Sequence, residues 1–264
     1  MKDGSVPRTA DDYIEFLQES GHTDADYLRA HFRRFLGTFR QFSAAWNGDS
    51  SAHVLDVGAH WLHQATLFAQ SGFRVTGADF PATMREDGVI NLARRLGIDL
   101  IEYQEIHSGS AFDDLETDSV DVLLFTEILE HITFNPVAFW KAVYRVLRPG
   151  GRIVVTTPNF YAAGGRAWEW RRFLQGFGSG ISTLEILQTP TYGHHWKEYS
   201  RREVCHYFCA LSRDFHIHRA LEVDSDFRPP ASRWQRLFAW RLPQLYVEVD
   251  LPEKKHGIEI EPVW

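Results

Sequence analysis

Two carboxylates and one imidazole stand at a spacing that could support proton transfer or metal binding. Glu127, Glu130 and His131 follow residues 120–125, a run that is apolar apart from Asp121, and their i, i+3, i+4 spacing predicts that they share one face of a helical turn. Carboxylate oxygens with an imidazole suit a divalent cation such as Mg²⁺ or Mn²⁺. Without a metal, Glu130 and His131 could make hydrogen bonds only, and a histidine could accept a proton as general base. The spacing leaves both roles open.

His195 is the candidate for the remaining position in this group. It follows residues 158–192, a segment rich in glycine and aromatic residues that breaks the regular pattern of the chain. If that segment covers the site, it brings His195 towards Glu127, Glu130 and His131, either as a metal ligand or as the catalytic base. The candidate catalytic residues are therefore Glu127, His131 and His195. The alternative for His195 is an ordinary surface histidine.

A second set of candidates lies at the ends of two apolar segments. Residues 54–57 contain Asp56 and lead into Gly58, and a later run ends at Asp79. A buried strand, a glycine turn and a second strand ended by an acid hold an adenosine-containing cofactor, because the turn brings N–H groups to the ligand and the acid accepts hydrogen bonds from ribose hydroxyls. A dinucleotide is disfavoured, since bulky residues such as His60 replace the later glycines that a pyrophosphate needs.

These segments belong to a regular alternation of strands and helices. The predicted strands are residues 54–57, 74–78, 99–103, 120–125 and 152–156, the predicted helices between them are residues 61–71, 82–96 and 136–147, and residues 216–223 and 245–249 could form a terminal antiparallel pair. This pattern predicts an α/β fold with a Rossmann-like, doubly wound, mostly parallel sheet of seven strands.

The same pattern suggests how the chain is divided. Residues 11–46 read as two amphipathic helices, which predicts an N-terminal helical cap over residues 1–49. Residues 50–264 then form the cofactor-binding domain, with an aromatic insertion after the fifth strand, residues 158–195, that covers the substrate.

Composition restricts the class of protein. The chain has 264 residues and a net charge of -7, which disfavours a protein that coats nucleic acid. A local basic patch is possible at Arg166, Arg171 and Arg172. Cys205 and Cys209 lie four residues apart, a spacing that fits free thiols in a reducing compartment. With neither a signal peptide nor an apolar run long enough to span a membrane, the sequence predicts a cytoplasmic protein.

Taken together, these motifs resemble those of the class I S-adenosylmethionine-dependent methyltransferases, of the type 11 and type 12 kind. The resemblance covers roughly residues 50–212 and rests on the segments Val-Leu-Asp-Val-Gly at 54–58, Asp79, Asp-Val-Leu-Leu-Phe-Thr-Glu at 121–127 and Val-Leu-Arg-Pro-Gly-Gly-Arg-Ile-Val-Val-Thr at 146–156. It implies S-adenosylmethionine as the cofactor. By position, the resemblance assigns to the cofactor Asp56, Gly58, His60, Asp79, Phe80, Ser110, Ala111 and Thr126.

The Glu-x-x-Glu-His segment is similar to that of the quinone-biosynthesis O-methyltransferases and of the small-RNA 3′-terminal 2′-O-methyltransferases. In the second group a later histidine, comparable to His195, completes the motif. The resemblance implies O-methylation of a small molecule, sugar or glycan intermediate, with or without a divalent metal. One alternative is an RNA 3′-terminal ribose methyltransferase, which the acidic charge disfavours. Another is a non-catalytic methyltransferase-like binding protein, which the presence of Asp79 disfavours. The sequence leaves the oligomeric state open.

Overall fold

A single seven-stranded sheet forms the centre of the computed structural model, which describes residues 7, 9–22, 24–162, 174–175 and 181–262. The strands are β1 (His53–Val57), β2 (Arg74–Asp79), β3 (Asp99–Glu102), β4 (Val120–Thr126), β5 (Leu147–Pro158), β6 (His216–Val223) and β7 (Gln244–Leu251). Their order is β3-β2-β1-β4-β5-β7-β6; β1 to β5 are parallel, and β7 runs antiparallel to both β5 and β6. The predicted doubly wound α/β fold is confirmed.

Helices cover both faces of this sheet. The helices of the described residues are α1 (Ala10–Gln18), α2 (Ala25–Ala45), α3 (His63–Gln70), α4 (Pro81–Met84), α5 (Asp87–Leu96), α6 (Val137–Val146), α7 (Thr183–Gln188), α8 (Arg201–Leu211) and α9 (Arg233–Leu237). The single helix predicted over residues 82–96 is two helices, because Glu86 adopts an extended conformation (φ -65°, ψ 134°). None of the helices in the described ranges is long and apolar enough to cross a bilayer.

The two faces of the sheet carry separate hydrophobic cores. Alternate residues of each strand point to opposite faces, so that Val54 and Leu55 of β1 contribute to different cores. On the first face α1, α2, α3 and α5 pack together, and the ring of Phe42 lies 5.2 Å from that of Phe68. On the other face α6 meets α8, where Trp140 packs edge-on against Phe208. The two N-terminal helices therefore share a core with the sheet.

A buried group of charges fixes the carboxyl-terminal half of α2 to the sheet. Glu248 of β7 is fully buried and accepts hydrogen bonds from Arg152, at 2.8 Å, and from Arg219. The same two arginines donate to backbone carbonyls of α2: Arg152 to Ala45 at 3.3 Å and Arg219 to Gln41 at 2.6 Å. Because α2 also reaches the functional site described below, this ion cluster sets the position of part of that site.

Substitution of Glu248 tests how strongly this cluster holds the fold. Glu248→Gln leaves two arginines facing a neutral amide, and we expect the free energy of unfolding to fall by about 3 kcal/mol. The matched control is Glu253→Gln, which removes the same charge from an exposed pair with Lys255 and should change stability by less than about 0.5 kcal/mol. Urea unfolding of the two variants measures the difference, and equal losses would contradict the role assigned to the cluster.

Candidate cofactor and active site

A cavity of about 500 Å3 opens at the carboxyl ends of β1, β2 and β4. Its volume lies within the range of small-molecule sites, roughly 300–1,000 Å3. Ligands of open α/β sheets bind at this edge, because the loops that follow the parallel strands converge there. Of the residues that the resemblance assigned to the cofactor, those lining the cavity are Asp56, Gly58, His60, Asp79, Phe80 and Thr126.

Ser110 and Ala111, predicted to face the adenine, lie outside this cavity. They form a 3-10 turn with Phe112, whose side chain is fully buried and packs against Phe139 of α6. Residues 104–107, which follow β3 directly, line the cavity in their place.

The loop after β1 keeps a glycine-like backbone with few glycines. Gly58, His60 and Leu62 have positive φ angles of 71°, 49° and 61°, respectively. Side chains other than glycine rarely adopt this left-handed region, and each such residue costs about 1–3 kcal/mol. His60 recovers part of this cost through its backbone N–H, which donates to Asp79 at 2.6 Å. His60 and Leu62, which stand in the loop in place of glycines, therefore still adopt the left-handed backbone that glycine favours.

Gly58 is required for a second reason, its close approach to Ile128. A Cβ atom on Gly58 would lie 2.1 Å from Cδ1 of Ile128, whereas a Cβ atom on Gly97, at a similar φ of 67°, would meet nothing within 4 Å. The two glycines thus separate the cost of the backbone conformation from the cost of the contact.

We expect Gly97→Ala to cost about 1 kcal/mol from backbone strain alone, and Gly58→Ala to cost clearly more and to weaken ligand binding. Urea unfolding compares the two variants. Adding Ile128→Ala to Gly58→Ala should restore part of the loss, because it removes the opposing side chain. Equal destabilisation by the two single variants would show that the contact with Ile128 is unimportant.

Two acids at the ends of β1 and β2 are withdrawn from water. Asp79 accepts hydrogen bonds from the backbone N–H groups of His60 and Phe80, each at 2.6 Å. Burial raises the pKa of Asp79, and these donors oppose the rise. Burial, followed by the negative charge of Asp79, raises the pKa of Asp56 to about 8, against the backbone N–H of Ala65. Among the described residues, Oδ2 of Asp56 has no hydrogen-bond partner. This end of the cavity favours a positively charged ligand.

The raised pKa of Asp56 predicts a cost to stability at neutral and alkaline pH. The folded protein keeps the proton of Asp56 up to about pH 8, whereas the unfolded chain releases it near the ordinary carboxyl pKa of 3.8. The stability that this proton gives the folded state is therefore lost as pH rises between these two values. We expect Asp56→Asn to be about 1–3 kcal/mol more stable than the wild type at pH 8 and close to it at pH 4. Thermal melting across this range measures the effect. The exposed Asp114→Asn is the control, and a gain independent of pH would contradict the assignment.

Glu127 does not share a helical face with Glu130 and His131, contrary to the prediction. The 3-10 turn begins at Leu129, and Glu127 precedes it with a φ of 57°, so the helical spacing does not apply. The carboxylate of Glu127 accepts hydrogen bonds from Arg34 of α2, at 3.2 Å, and from the hydroxyl of Thr156, at 2.8 Å. Glu127 lines the cavity beside Thr126.

Glu130, His131 and His195 do come together. One ligand atom from each lies within 4.8 Å of the others, which identifies them as a candidate metal group; Glu127 is outside this group. The Glu130 carboxylate accepts a hydrogen bond from Thr157 at 3.0 Å through Oε2. Its other oxygen, Oε1, is buried without a hydrogen-bond partner among the described residues. Burial, and then the charge of Glu127, raise the pKa of Glu130 well above its usual value.

His131, and not His195, faces the cavity. Nδ1 of His131 lies 3.0 Å from the backbone carbonyl of His194, which can only accept a hydrogen bond. Nδ1 therefore carries a proton, and Nε2 lies 3.9 Å from Oε1 of Glu130. The ring of His195 packs edge-on against that of His131, with centroids 4.8 Å apart, and does not line the cavity.

Several lining residues were not identified from the sequence. Tyr27 and Phe35 reach the cavity from α2, where their helical spacing is the same as that of core residues. Tyr192 lines the opposite wall, and its ring centroid lies 5.6 Å from that of Phe80. Tyr192 belongs to the predicted substrate-covering segment. Phe160 and Tyr161 of that segment are described, and their rings pack edge-on against each other. Other aromatic and basic residues of the segment lie outside the described residues: Trp168, Trp170, Phe173, Phe177, Arg166, Arg171 and Arg172.

Comparison with known proteins agrees with this geometry. Residues 55–155 match a family model described as a methyltransferase domain. The ubiquinone biosynthesis O-methyltransferase of Pseudomonas entomophila (strain L48) is 30% identical over 106 residues, which are 40% of this chain and 44% of that protein. The enzyme of the same name from Xanthomonas oryzae pv. oryzae (strain PXO99A) is 26% identical over 155 residues, 57% of each chain. The chain thus spans about half the length of these relatives.

Solved structures share the fold at low sequence identity. An S-adenosylmethionine-dependent methyltransferase from Aquifex aeolicus has a TM-score of 0.52 at 12% identity, covering 90% of this chain and 98% of that one. The 1,6-didemethyltoxoflavin-N1-methyltransferase of Burkholderia thailandensis, with S-adenosylhomocysteine bound, has a TM-score of 0.54 at 15% identity, covering 95% and 87%. The family match shows a methyltransferase domain over residues 55–155, and the solved structures show the same fold.

Proposed function

We propose that this protein transfers a methyl group from S-adenosylmethionine to a hydroxyl group of a small uncharged molecule, such as a sugar, a glycan intermediate or a phenol. One observation carries the proposal: the buried acids Asp56 and Asp79 and the imidazole of His131 line a single cavity. The first two suit a cationic, ribose-containing cofactor, and the third suits an acceptor that must lose a proton. The relatives named O-methyltransferases support the choice of oxygen.

The cavity fits S-adenosylmethionine in charge and in shape. Asp79 has the acceptor capacity to bind ribose hydroxyls in addition to its two backbone donors. The rings of Phe80 and Tyr103, with centroids 5.2 Å apart, give an aromatic wall for the adenine, and Tyr192 extends that wall. Asp56, with one unpartnered oxygen, lies where a positively charged methionine group would be stabilised. When bound, the cofactor supplies a methyl group on a good leaving group.

His131 is the residue best placed to take the acceptor's proton. Its ring is oriented by the hydrogen bond from Nδ1 to the carbonyl of His194, and that carbonyl would also stabilise the imidazolium formed when Nε2 accepts a proton. Because the leaving group is good, the remaining work of the protein is alignment of the hydroxyl with the methyl group. Glu127, held by Arg34 and Thr156, can accept a hydrogen bond from a second hydroxyl of the acceptor.

A divalent cation is the alternative to His131 acting as the base. The unpartnered Oε1 of Glu130, with His131 and His195, fits an ion such as Mg²⁺ or Mn²⁺. A cation there would lower the pKa of a bound hydroxyl and would hold Glu130 ionised. His131 cannot serve as ligand and as base through the same Nε2 atom, so removal of the metal separates the two mechanisms.

The charge of the cavity favours an acceptor without phosphate. Four of its lining residues are acids, namely Asp56, Asp79, Glu105 and Glu127, whereas no lysine or arginine lines it within the described ranges. An RNA terminus would need cations for its phosphates. The RNA alternative is therefore less well supported than a small hydroxylated molecule. The non-catalytic alternative predicts that no acceptor is methylated in a broad screen.

Replacement of His131 tests the proposal once a screen of hydroxylated sugars and phenols has found an acceptor. We expect His131→Gln to lower kcat by about 10²–10⁴-fold and to leave cofactor affinity within about twofold. The control is His107→Gln, which changes another histidine of the cavity and should keep most of the activity. If His131 acts as the base without a metal, turnover survives chelator treatment and His195→Gln is mild. If a cation takes part, chelator and His195→Gln both abolish turnover. Normal activity of His131→Gln would reject both mechanisms.

A further inference from the structure

Residues 231–241 form an exposed segment with large apolar side chains. The exposed fractions are 77% for Trp234, 62% for Leu237, 60% for Phe238 and 50% for Trp240. In α9, Trp234 and Leu237 are spaced i, i+3 and share one side of the helical turn, and Phe238 follows as the C-cap residue. Four large apolar residues exposed so close together mark an interaction site more often than scattered single residues do.

The charge of this segment is opposite to that of the protein. Residues 227–247 contain four arginines and no acidic residue, in a chain whose net charge is -7. Arg228 pairs with Asp224 and Asp226. The other three, which are Arg233, Arg236 and Arg241, are exposed and form no ion pair with any described residue. The segment thus combines unpaired arginines with Trp, Phe and Leu, the composition of elements that lie at a membrane surface.

Hydrogen bonds hold the carboxyl-terminal end of the segment at the edge of the sheet where the cavity opens. The side-chain amide of Asn159 donates to the carbonyls of Trp240, at 2.9 Å, and Leu242, at 2.7 Å. The backbone N–H of Asn159 donates to the carbonyl of Pro243. Asn159 directly follows β5, whose Thr156 and Thr157 bind the carboxylates of the active site.

We propose that residues 231–241, the arginine–aromatic segment, bind the surface of membranes that contain anionic phospholipids. The unpaired arginines complement the lipid phosphates, and the Trp, Leu and Phe side chains enter the boundary between headgroups and acyl chains. A second copy of the chain is a poorer occupant, because a symmetric contact would place like charges against each other. Nucleic acid is also poorer, since Leu237 offers no ring for stacking on bases.

The test is cosedimentation of the full chain with vesicles. We expect binding to phosphatidylcholine vesicles containing about one third phosphatidylglycerol, weakening as salt rises, and at least tenfold less binding to pure phosphatidylcholine. Two triple variants should each lose binding at least tenfold: Trp234→Ser with Leu237→Ser and Phe238→Ser, and Arg233→Gln with Arg236→Gln and Arg241→Gln. The matched control is Leu184→Ser with Leu187→Ser, which removes exposed leucines of α7 and should bind as the wild type does.

Circular dichroism confirms that each variant is folded before the comparison is made. The proposal is overturned if the wild type fails to bind the anionic vesicles, or if the arginine variant binds them as well as the wild type does. It is also overturned if the apolar variant keeps vesicle binding and instead converts a dimer to a monomer in sedimentation velocity. Tighter binding of the wild type to a short oligoribonucleotide than to the vesicles would overturn it as well, in favour of nucleic acid.

Discussion

Withdrawal of two neighbouring carboxyl groups from water is the constraint on which the site depends. Asp56 and Asp79 end adjacent parallel strands, so the sheet itself brings them together. Burying two acids side by side is unfavourable, and the raised pKa of each is the sign of that cost. The loop after β1 offsets part of it through the N–H of His60, at the expense of left-handed backbone. A cationic ligand with ribose hydroxyls would offset the rest, which explains why a stable fold retains so unfavourable an arrangement.

The N-terminal helices complete the site from the other side. Buried ion pairs around Glu248 fix one end of α2 to the sheet, while Arg34, further along the helix, binds Glu127. The position of Glu127 therefore depends on a residue about ninety positions earlier in the chain. Aromatic side chains of the same helix form a wall of the cavity, so α2 acts both in the core and in the shape of the acceptor's surroundings.

The parts of the site fixed by local pattern could be predicted from the sequence. Asp56 and Asp79 were found because buried parallel strands are short apolar runs whose carboxyl ends meet at one edge. Glu127 was misplaced because its left-handed conformation depends on hydrogen bonds to distant residues. Ser110, predicted to face the adenine, lies outside the cavity lining, in a turn whose Phe112 is buried; the sequence pattern alone does not reveal this tertiary contact. The contribution of α2 was missed because aromatic residues at helical spacing look alike whether they face a core or a cavity.

Calorimetric titration of S-adenosylmethionine tests the central claim most directly. The account predicts that the wild type binds the cofactor, that Asp79→Asn binds it at least about tenfold more weakly, and that Asp99→Asn, an exposed acid at the start of β3, binds it normally. If the folded wild type shows no binding, or if Asp79→Asn keeps full affinity, the cofactor does not lie where the two strand-end acids are buried.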